Sequence, residues 1–233
     1  MNDQVVARDW QLNIDADMVL RGQGADPAII RQRRPRLVEI AERAVAEGSS
    51  LINPVAVYRT LPIENVKHQH LTLAGGAQLT SSLLVDQLAP AQSIALIVCT
   101  LGEHLEERIS ALTPSDPLYA LALDGFGSAA AEALGTAVCH RLEETAAQQQ
   151  QCVSVPLNPG MIDWSVEVGQ PQIVSLLDTD VIGVTLNDSA QMQPRKSVSM
   201  VLGFAPTPFA AGRACDFCAL RNTCRCQDRS AHS

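Results

Sequence analysis

Hydrophobic residues recur along the chain with two different spacings, which predict both helices and strands. Residues 34–48 place apolar side chains, among them Leu37 and Val45, on one face of a helix, and Gly48 stands where such a helix would end. Residues 93–99 instead form a nearly continuous apolar run, which is typical of a strand buried on both faces. The first half of the chain therefore combines helix and strand.

The longest helix is predicted to begin at Asp116 and Pro117 and to continue to about residue 145. Aspartate caps a helix N-terminus, and proline fits the first turn because no backbone donor is needed there. Alanine dominates the segment, yet each interior glycine costs about 1 kcal/mol of helix propensity relative to alanine. Three such glycines are present, at positions 125, 127 and 135. We therefore expect neighbouring backbones to pack closely against this helix.

Polar side chains recur at every fourth position of this helix, namely Asp124, Ser128, Glu132, Thr136 and His140. Because four residues advance the helix by more than one full turn, the line winds around the helix, and all five cannot face a single cavity. Two or three of them can line one site, and the alternative is that the line simply faces water.

Apolar runs bounded by glycine, proline and polar residues predict further strands on both sides of the long helix. They lie at residues 55–63, 70–76, 152–160, 181–186 and 196–204. These elements form neither a βαβ repeat nor an uninterrupted series of hairpins, so they favour an α+β fold with an antiparallel or mixed sheet. The strand at residues 197–204 is expected to be central and buried.

The composition narrows the classes of partner. The 233 residues are 46% hydrophobic and only 3% aromatic, and the formal net charge is −8. This charge opposes binding to nucleic acid, which draws on clustered lysine and arginine. No apolar stretch approaches the length needed to span a bilayer, and the N-terminus has no apolar leader segment. We therefore expect a cytoplasmic protein with no nucleic-acid partner and no membrane partner.

Four of the seven cysteines lie close together near the C-terminus, at Cys215, Cys218, Cys224 and Cys226. A Cys-x2-Cys turn can direct two thiolates at one metal, and the later pair can complete a four-sulfur site for zinc or for an iron–sulfur cluster. Because the cytosol keeps thiols reduced, metal or redox use is favoured over disulfides. We predict a main domain at residues 1–209 and a metal-binding tail at residues 210–233.

Residues 157–204 resemble a recognisable stretch of the activation domain of cobalamin-dependent methionine synthase. The similar pieces are a Pro-Gly turn, a Leu-Leu helix end, a Gly-x-x-Leu strand, a Met-x-Pro motif and a Ser-Val-Ser strand. In this sequence they lie, in the same order, at Pro159-Gly160, Leu176-Leu177, Gly183 to Leu186, Met192 to Pro194, and Ser197 to Ser199. Upstream, Asp124 and Glu132 match the central helix of stand-alone relatives of that domain.

The resemblance covers most of the chain and implies an α+β fold with a twisted, largely antiparallel sheet flanked by helices. It also implies an accessory protein of cobalamin-dependent methyl transfer. The sequence contains no Asp-x-His-x-x-Gly signature, so the cobalamin would sit on a partner, a corrinoid protein or a corrinoid methyltransferase. Stand-alone relatives often end in a similar cysteine-rich tail, which favours an iron–sulfur cluster, [4Fe–4S], over zinc.

The chain departs from the family at the S-adenosylmethionine site, where relatives carry Arg-x-x-Pro-Gly-Tyr. Here Pro156 and Met161 replace the arginine and the tyrosine. Proline offers no donor for a carboxylate and methionine offers no hydroxyl, so we expect S-adenosylmethionine to bind weakly or not at all. The candidate ligand-binding residues are Asp124, Glu132, Asn158, Gly160, Asp163, Trp164 and Asp188.

Two other interpretations stay open at this point. A non-catalytic docking module would keep the fold as a binding surface and would use the cysteines to hold a structural zinc. A methyltransferase would need an S-adenosylmethionine pocket rebuilt from other residues.

Overall fold

The computed structural model describes residues 4–219 and 221–222, which form a mixed α+β fold. The α-helices of these residues are α1 (Ala16–Gly22), α2 (Pro27–Arg33), α3 (Pro35–Leu51), α4 (Ser82–Gln87), α5 (His104–Leu112), α6 (Pro117–Gln148) and α7 (Val166–Val174). Their strands are β1 (Val5–Ala7), β2 (Val55–Lys67), β3 (His70–Leu73), β4 (Gln78–Thr80), β5 (Ser93–Thr100), β6 (Cys152–Val153), β7 (Thr185–Leu186), β8 (Met192–Gln193) and β9 (Ser197–Ala205). Short 3₁₀ turns lie at Asp180–Ile182 and Ala214–Phe217.

Most of the described strands belong to one sheet, in the order β4-β3-β2-β5-β9-β6, with β1 added beside β2. Every neighbouring pair in this sheet is antiparallel. The strand β5 lies between β2 and β9 and pairs with each of them along its whole length. The predicted antiparallel sheet is therefore confirmed, and the strands expected at residues 93–99 and 197–204 lie at its centre.

The strand β5 is apolar on both faces because helices cover both sides of the sheet. One face, with Ala95 and Ile97, packs against α1, α3, α5 and α6 in a first core. The other face, with Ile94 and Leu96, packs against α4 and α7 in a second core. Among the described helices, none is both long enough and apolar enough to cross a membrane.

Glycines let α6 approach its neighbours closely, as the sequence predicted. A Cβ on Gly22 of α1 would collide with the carbonyl oxygen of Gly125, so these two helices have their backbones in contact. Gly48 does not end α3, which continues to Leu51, and that part of the sequence prediction is wrong. A Cβ at Gly48 would collide with the ring of Phe126, so glycine is needed there for packing against α6.

Two predicted strands are much shorter than expected. Residues 152–160 contribute only the two-residue β6, because the Gly203 N–H of β9 donates to the Ser154 hydroxyl instead of a backbone carbonyl, and Pro156 cannot donate to a strand ladder. Residues 181–186 begin within a 3₁₀ turn, and only the last two are extended. An isolated antiparallel bridge from Leu157 to β9 keeps the first of these segments against the sheet.

A polar cluster joins α3, α5 and α6 near the protein surface. Glu47 accepts a hydrogen bond of 2.7 Å from the Tyr119 hydroxyl and one of 2.6 Å from Nε of Arg108. The guanidinium of Arg43 lies over the Tyr119 ring, 3.8 Å from its centroid. Hydrogen bonds from Tyr119 and Arg108 hold the pKa of Glu47 below its ordinary value, while burial and the nearby Glu47 raise the pKa of Tyr119 to about 12.

We expect the stability of the fold to depend on Glu47 in a defined pH range. Because the folded-state pKa of Glu47 lies below its ordinary value of 4.5, its contribution is present above that pH and is lost as the pH falls through the folded-state pKa. Glu47→Gln should lower the thermal unfolding midpoint at neutral pH and should have less effect well below pH 4.5. Glu42→Gln, at an exposed position of α3, is the control, and equal shifts for both variants would contradict the prediction.

An aspartate at Val201 should prevent cooperative folding. Val201 is 0% exposed in the middle of β9 and faces the second core. An unpaired carboxylate there should cost about 4 kcal/mol or more, which is a large part of the stability of a domain. Val198→Asp, at a half-buried position of the same strand, is the matched comparison and should destabilise less. Urea unfolding followed by circular dichroism measures both, and a near-normal midpoint for Val201→Asp would show that the register of β9 is wrong.

Candidate functional site

A tight turn at residues 158–164, here called the Pro-Gly turn, follows the bridge to β9. The Met161 N–H donates to the Asn158 carbonyl at 3.1 Å, and the Gly160 N–H donates to the Trp164 carbonyl at 2.7 Å. Gly160 has a φ of +98°, a conformation that glycine adopts readily and other residues do not. The Pro-Gly sequence therefore sets the path of the chain at this point.

Asn158 fastens the Pro-Gly turn to the sheet. Its Nδ2 donates a hydrogen bond of 2.9 Å to the carbonyl of Ser199 in β9. The Met161 side chain folds back into the turn, and its Sδ accepts from the Asn158 backbone N–H at 3.3 Å. The residue at the position of the family's tyrosine is therefore used within the turn itself.

Asp163 and Trp164 close the Pro-Gly turn in different environments. Asp163 is exposed in a left-handed conformation with a φ of +59°, and its carbonyl accepts a hydrogen bond of 3.1 Å from Ser81, which caps α4. Trp164 is 1% exposed, its indole packs against Gly169 of α7, and its Nε1 has no hydrogen-bond partner among the described residues. The indole fills the second core, while Asp163 faces solvent.

A first groove, the turn groove, opens between the Pro-Gly turn and the starts of α4 and α7. Its volume is about 690 Å³. Three of the predicted ligand-binding residues line it, namely Gly160, Asp163 and Trp164. The opposite wall includes Ser81, and Val168 adds an exposed apolar side chain. The turn groove is therefore a mixed polar and apolar surface.

A second groove, the helix groove, runs between α6 and β9 and has a volume of about 380 Å³. The predicted residues Glu132 and Asn158 both line it. Thr136 and His140 also reach it, so three members of the polar line on α6 face one groove. The sequence analysis allowed two or three of them to do so. The β9 side of the groove is apolar and includes Met200.

Asp124 and Asp188 line neither groove. Asp124 pairs with Nζ of Lys196 at 2.9 Å, and the same Nζ donates to the Ser128 hydroxyl at 3.0 Å. This cluster fastens the start of β9 to α6. Asp188 is exposed in the loop between β7 and β8. The structure therefore separates both residues from Glu132, with which the sequence grouped them.

The described part of the cysteine cluster packs on the Pro-Gly turn. Cys215 and Cys218 lie in and directly after a 3₁₀ turn, in which the Cys218 N–H donates to the Cys215 carbonyl at 3.3 Å. The Ile162 N–H donates to the Phe217 carbonyl at 2.9 Å, which fixes this turn to the body of the protein. We refer to residues 214–219 as the cysteine segment.

The cysteine segment lies between the two grooves. Ala214, at its beginning, lines the helix groove, and Ala219, at its end, lines the turn groove. The other two predicted metal ligands, Cys224 and Cys226, lie outside the described residues. The described half of the four-cysteine set is therefore next to both candidate sites.

The two most deeply buried cysteines have a different character. Burial raises the pKa of Cys99 and that of Cys139 to about 12 each. The Sγ of Cys139 donates to the Sδ of Met200 at 3.5 Å on the floor of the helix groove. Both side chains are therefore neutral thiols at physiological pH and serve as packing groups.

Sequence reasoning missed Glu143 and the docking of Phe217. Glu143 lines the helix groove eleven residues after Glu132, which is about three helical turns, so both side chains share one face of α6. A helical period of 3.6 residues, rather than a spacing of four, places Glu143 on the same face as Glu132 and would have identified it. The contact of Phe217 gave no local signal because it involves the backbone of a distant turn.

Comparisons with known proteins agree with this architecture. No protein-family model matches the sequence, and no curated protein matches it significantly. Among solved structures, the chain is similar to a crystal structure of the MetH reactivation domain bound to AdoHcy, with a TM-score of 0.57 and 16% sequence identity. The match covers 92% of this chain and 82% of that chain. The chain therefore has the fold of the MetH reactivation domain, as the sequence resemblance implied.

Proposed function

We propose that this chain is an accessory protein of cobalamin-dependent methyl transfer, acting on a corrinoid protein in its reductive activation or its methylation. The observation that carries the proposal is the likeness of fold to the MetH reactivation domain over 92% of the chain. The similar sequence pieces support it, because Pro159-Gly160 forms the turn between the two grooves and Ser197 to Ser199 begins β9.

The partner in this proposal is a corrinoid protein or a corrinoid methyltransferase, which carries the cobalamin. The chain itself has no Asp-x-His-x-x-Gly sequence to hold a corrinoid. The docking surface is the region that contains the turn groove, the cysteine segment and the helix groove. These features are contiguous, so one partner surface can contact all three.

The cysteine cluster is the redox site of the proposed activity. Cys215 is exposed and Cys218 is half-buried, so the Cys-x2-Cys turn lies at the protein surface. The soft sulfur donors suit a [4Fe–4S] cluster completed by Cys224 and Cys226, although the spacing, with its terminal Cys-x-Cys, is not one of the standard ferredoxin patterns. When bound, such a cluster supplies a low-potential electron of the kind that a corrinoid needs for reduction.

A structural zinc is the second candidate for the same four cysteines. The packing of the cysteine segment on the body favours it, because Phe217 contacts the second core and its carbonyl accepts from Ile162. A zinc ion would stabilise this contact without redox chemistry, and the protein would then be a non-catalytic docking module.

Direct methyl transfer from S-adenosylmethionine is the weakest of the three functions. Pro156 and Met161 occupy the positions of the family's arginine and tyrosine, and Met161 is engaged within the Pro-Gly turn. Among the described residues that line the two grooves there is no lysine or arginine. A ligand carboxylate would therefore lack a cationic partner in either groove.

The metal content of anaerobically purified protein tests the redox proposal. We expect iron and acid-labile sulfide in the natural chain, and we expect Cys218→Ser to lose both together with the assistance given to a corrinoid partner. Serine is close in size to cysteine, and the described bridge between Met161 and Cys218 is made by the backbone, so the fold should persist.

Cys152→Ser, at a half-buried position of β6, is the matched control and should keep its iron. One zinc per chain and no sulfide would contradict the redox role and support the docking module. Loss of iron together with loss of cooperative unfolding in Cys218→Ser would mean that the cluster holds the fold together, which a purely redox role does not require.

Calorimetric titration tests the methyl donor. We expect S-adenosylmethionine and AdoHcy to show no saturable binding below about millimolar concentration, because their carboxylate has no partner in either groove. The double variant Pro156→Arg with Met161→Tyr restores the family's pattern and should bind more tightly. A low-micromolar dissociation constant for the natural chain would revive the methyltransferase function.

A further inference from the structure

The helix groove combines an apolar floor with acidic ends. Its floor is formed by Gly135, Cys139, Val198 and Met200, and a Cβ at Gly135 would lie 3.1 Å from the Met200 methyl group. Glycine therefore deepens the groove at its centre. An apolar channel of this kind favours an aliphatic chain, because burying such a chain removes apolar surface from water.

Glu132 and Glu143 stand toward the two ends of this channel. They are eleven residues apart on one face of α6, so their backbone positions are separated by about 16 Å along the helix axis. Glu132 makes no hydrogen bond or ion pair within the described structure. Glu143 contacts His140, whose Nδ1 lies 3.2 Å from Oε2, and the side chains are 72% exposed at His140 and 48% exposed at Glu143. Each carboxylate can therefore accept a new cationic partner.

The described residues of the helix groove include no lysine or arginine that could pair with an anion. His140 is the one basic side chain among them. Its described walls also lack phenylalanine, tyrosine and tryptophan, whose rings recognise quaternary ammonium groups. Carboxylates, by contrast, form charge-assisted hydrogen bonds with primary and secondary ammonium groups. The lining thus selects for amines that donate hydrogen bonds and against carboxylates and phosphates.

We propose that the helix groove binds a linear aliphatic polyamine, with a terminal ammonium group at Glu132, another at Glu143 and the methylene chain over the apolar floor. The hydroxyl of Thr136, between the two carboxylates, can accept from a central amine. The proposal concerns a small organic cation and does not depend on the metal or on the corrinoid partner.

Calorimetric titration of the full chain with spermidine tests the site. We expect saturable binding that weakens as the salt concentration rises. Glu132→Gln and Glu143→Gln should each raise the dissociation constant by about fivefold, which is the largest effect expected from the loss of one exposed ion pair. The double variant should weaken it by about 25-fold, because the two carboxylates are far enough apart to act independently.

Two controls separate the site from general attraction to an acidic protein. Glu144→Gln removes the same charge from an exposed position that does not line the groove, and it should leave binding unchanged. Butylamine, with one ammonium group, should bind much more weakly than spermidine. Equal losses for Glu143→Gln and Glu144→Gln, equal affinities for the two amines, or no saturable binding of spermidine would each overturn the proposal.

Discussion

The close approach of α6 to its neighbours is the constraint on which the rest of the structure depends. Gly125 lets α1 cross with backbone contact, and Gly48 of α3 accommodates the Phe126 ring. Alanine and glycine along α6 keep this helix near β5 and β9 as well. Dispersion attraction acts only over such short separations, so the close packing offsets the helix propensity that the glycines lose. The helix groove is bounded by α6 and β9, which this packing holds together.

Much of the fold followed from local patterns in the sequence. The aliphatic run at residues 93–99 predicted a strand buried on both faces, and β5 is such a strand because helices cover both sides of the sheet. Asp116 caps the N-terminus of α6, as the sequence also predicted. The predicted helix end at Gly48 was wrong because glycine is common both at helix ends and where two helices pack closely. The position of Phe126 against Gly48, which the local sequence does not give, distinguishes the two cases. The length of β6 is limited near Pro156, and the length of β7 is limited by the preceding 3₁₀ turn. An apolar run in the sequence does not show where either strand begins or ends.

The candidate site was less predictable than the fold, because it is assembled from segments far apart in the sequence. Asp124 and Glu132 share a helical line, yet Lys196 draws Asp124 into a contact that anchors β9, and Glu132 is left to line the helix groove. Trp164 stood beside Asp163 as a candidate ligand contact, but it is buried against α7. Spacing along one element indicates which side chains share a face. It does not indicate which of them another element will cover.

The position of the cysteine segment has a thermodynamic consequence. The segment is hydrogen-bonded to the Pro-Gly turn at Ile162, and its two ends form part of different grooves. A ligand that contacts this segment from one groove would therefore also stabilise a wall of the other groove. Such coupling would be reciprocal, so a ligand in a groove and the metal proposed at the cysteines would change each other's affinity by the same factor.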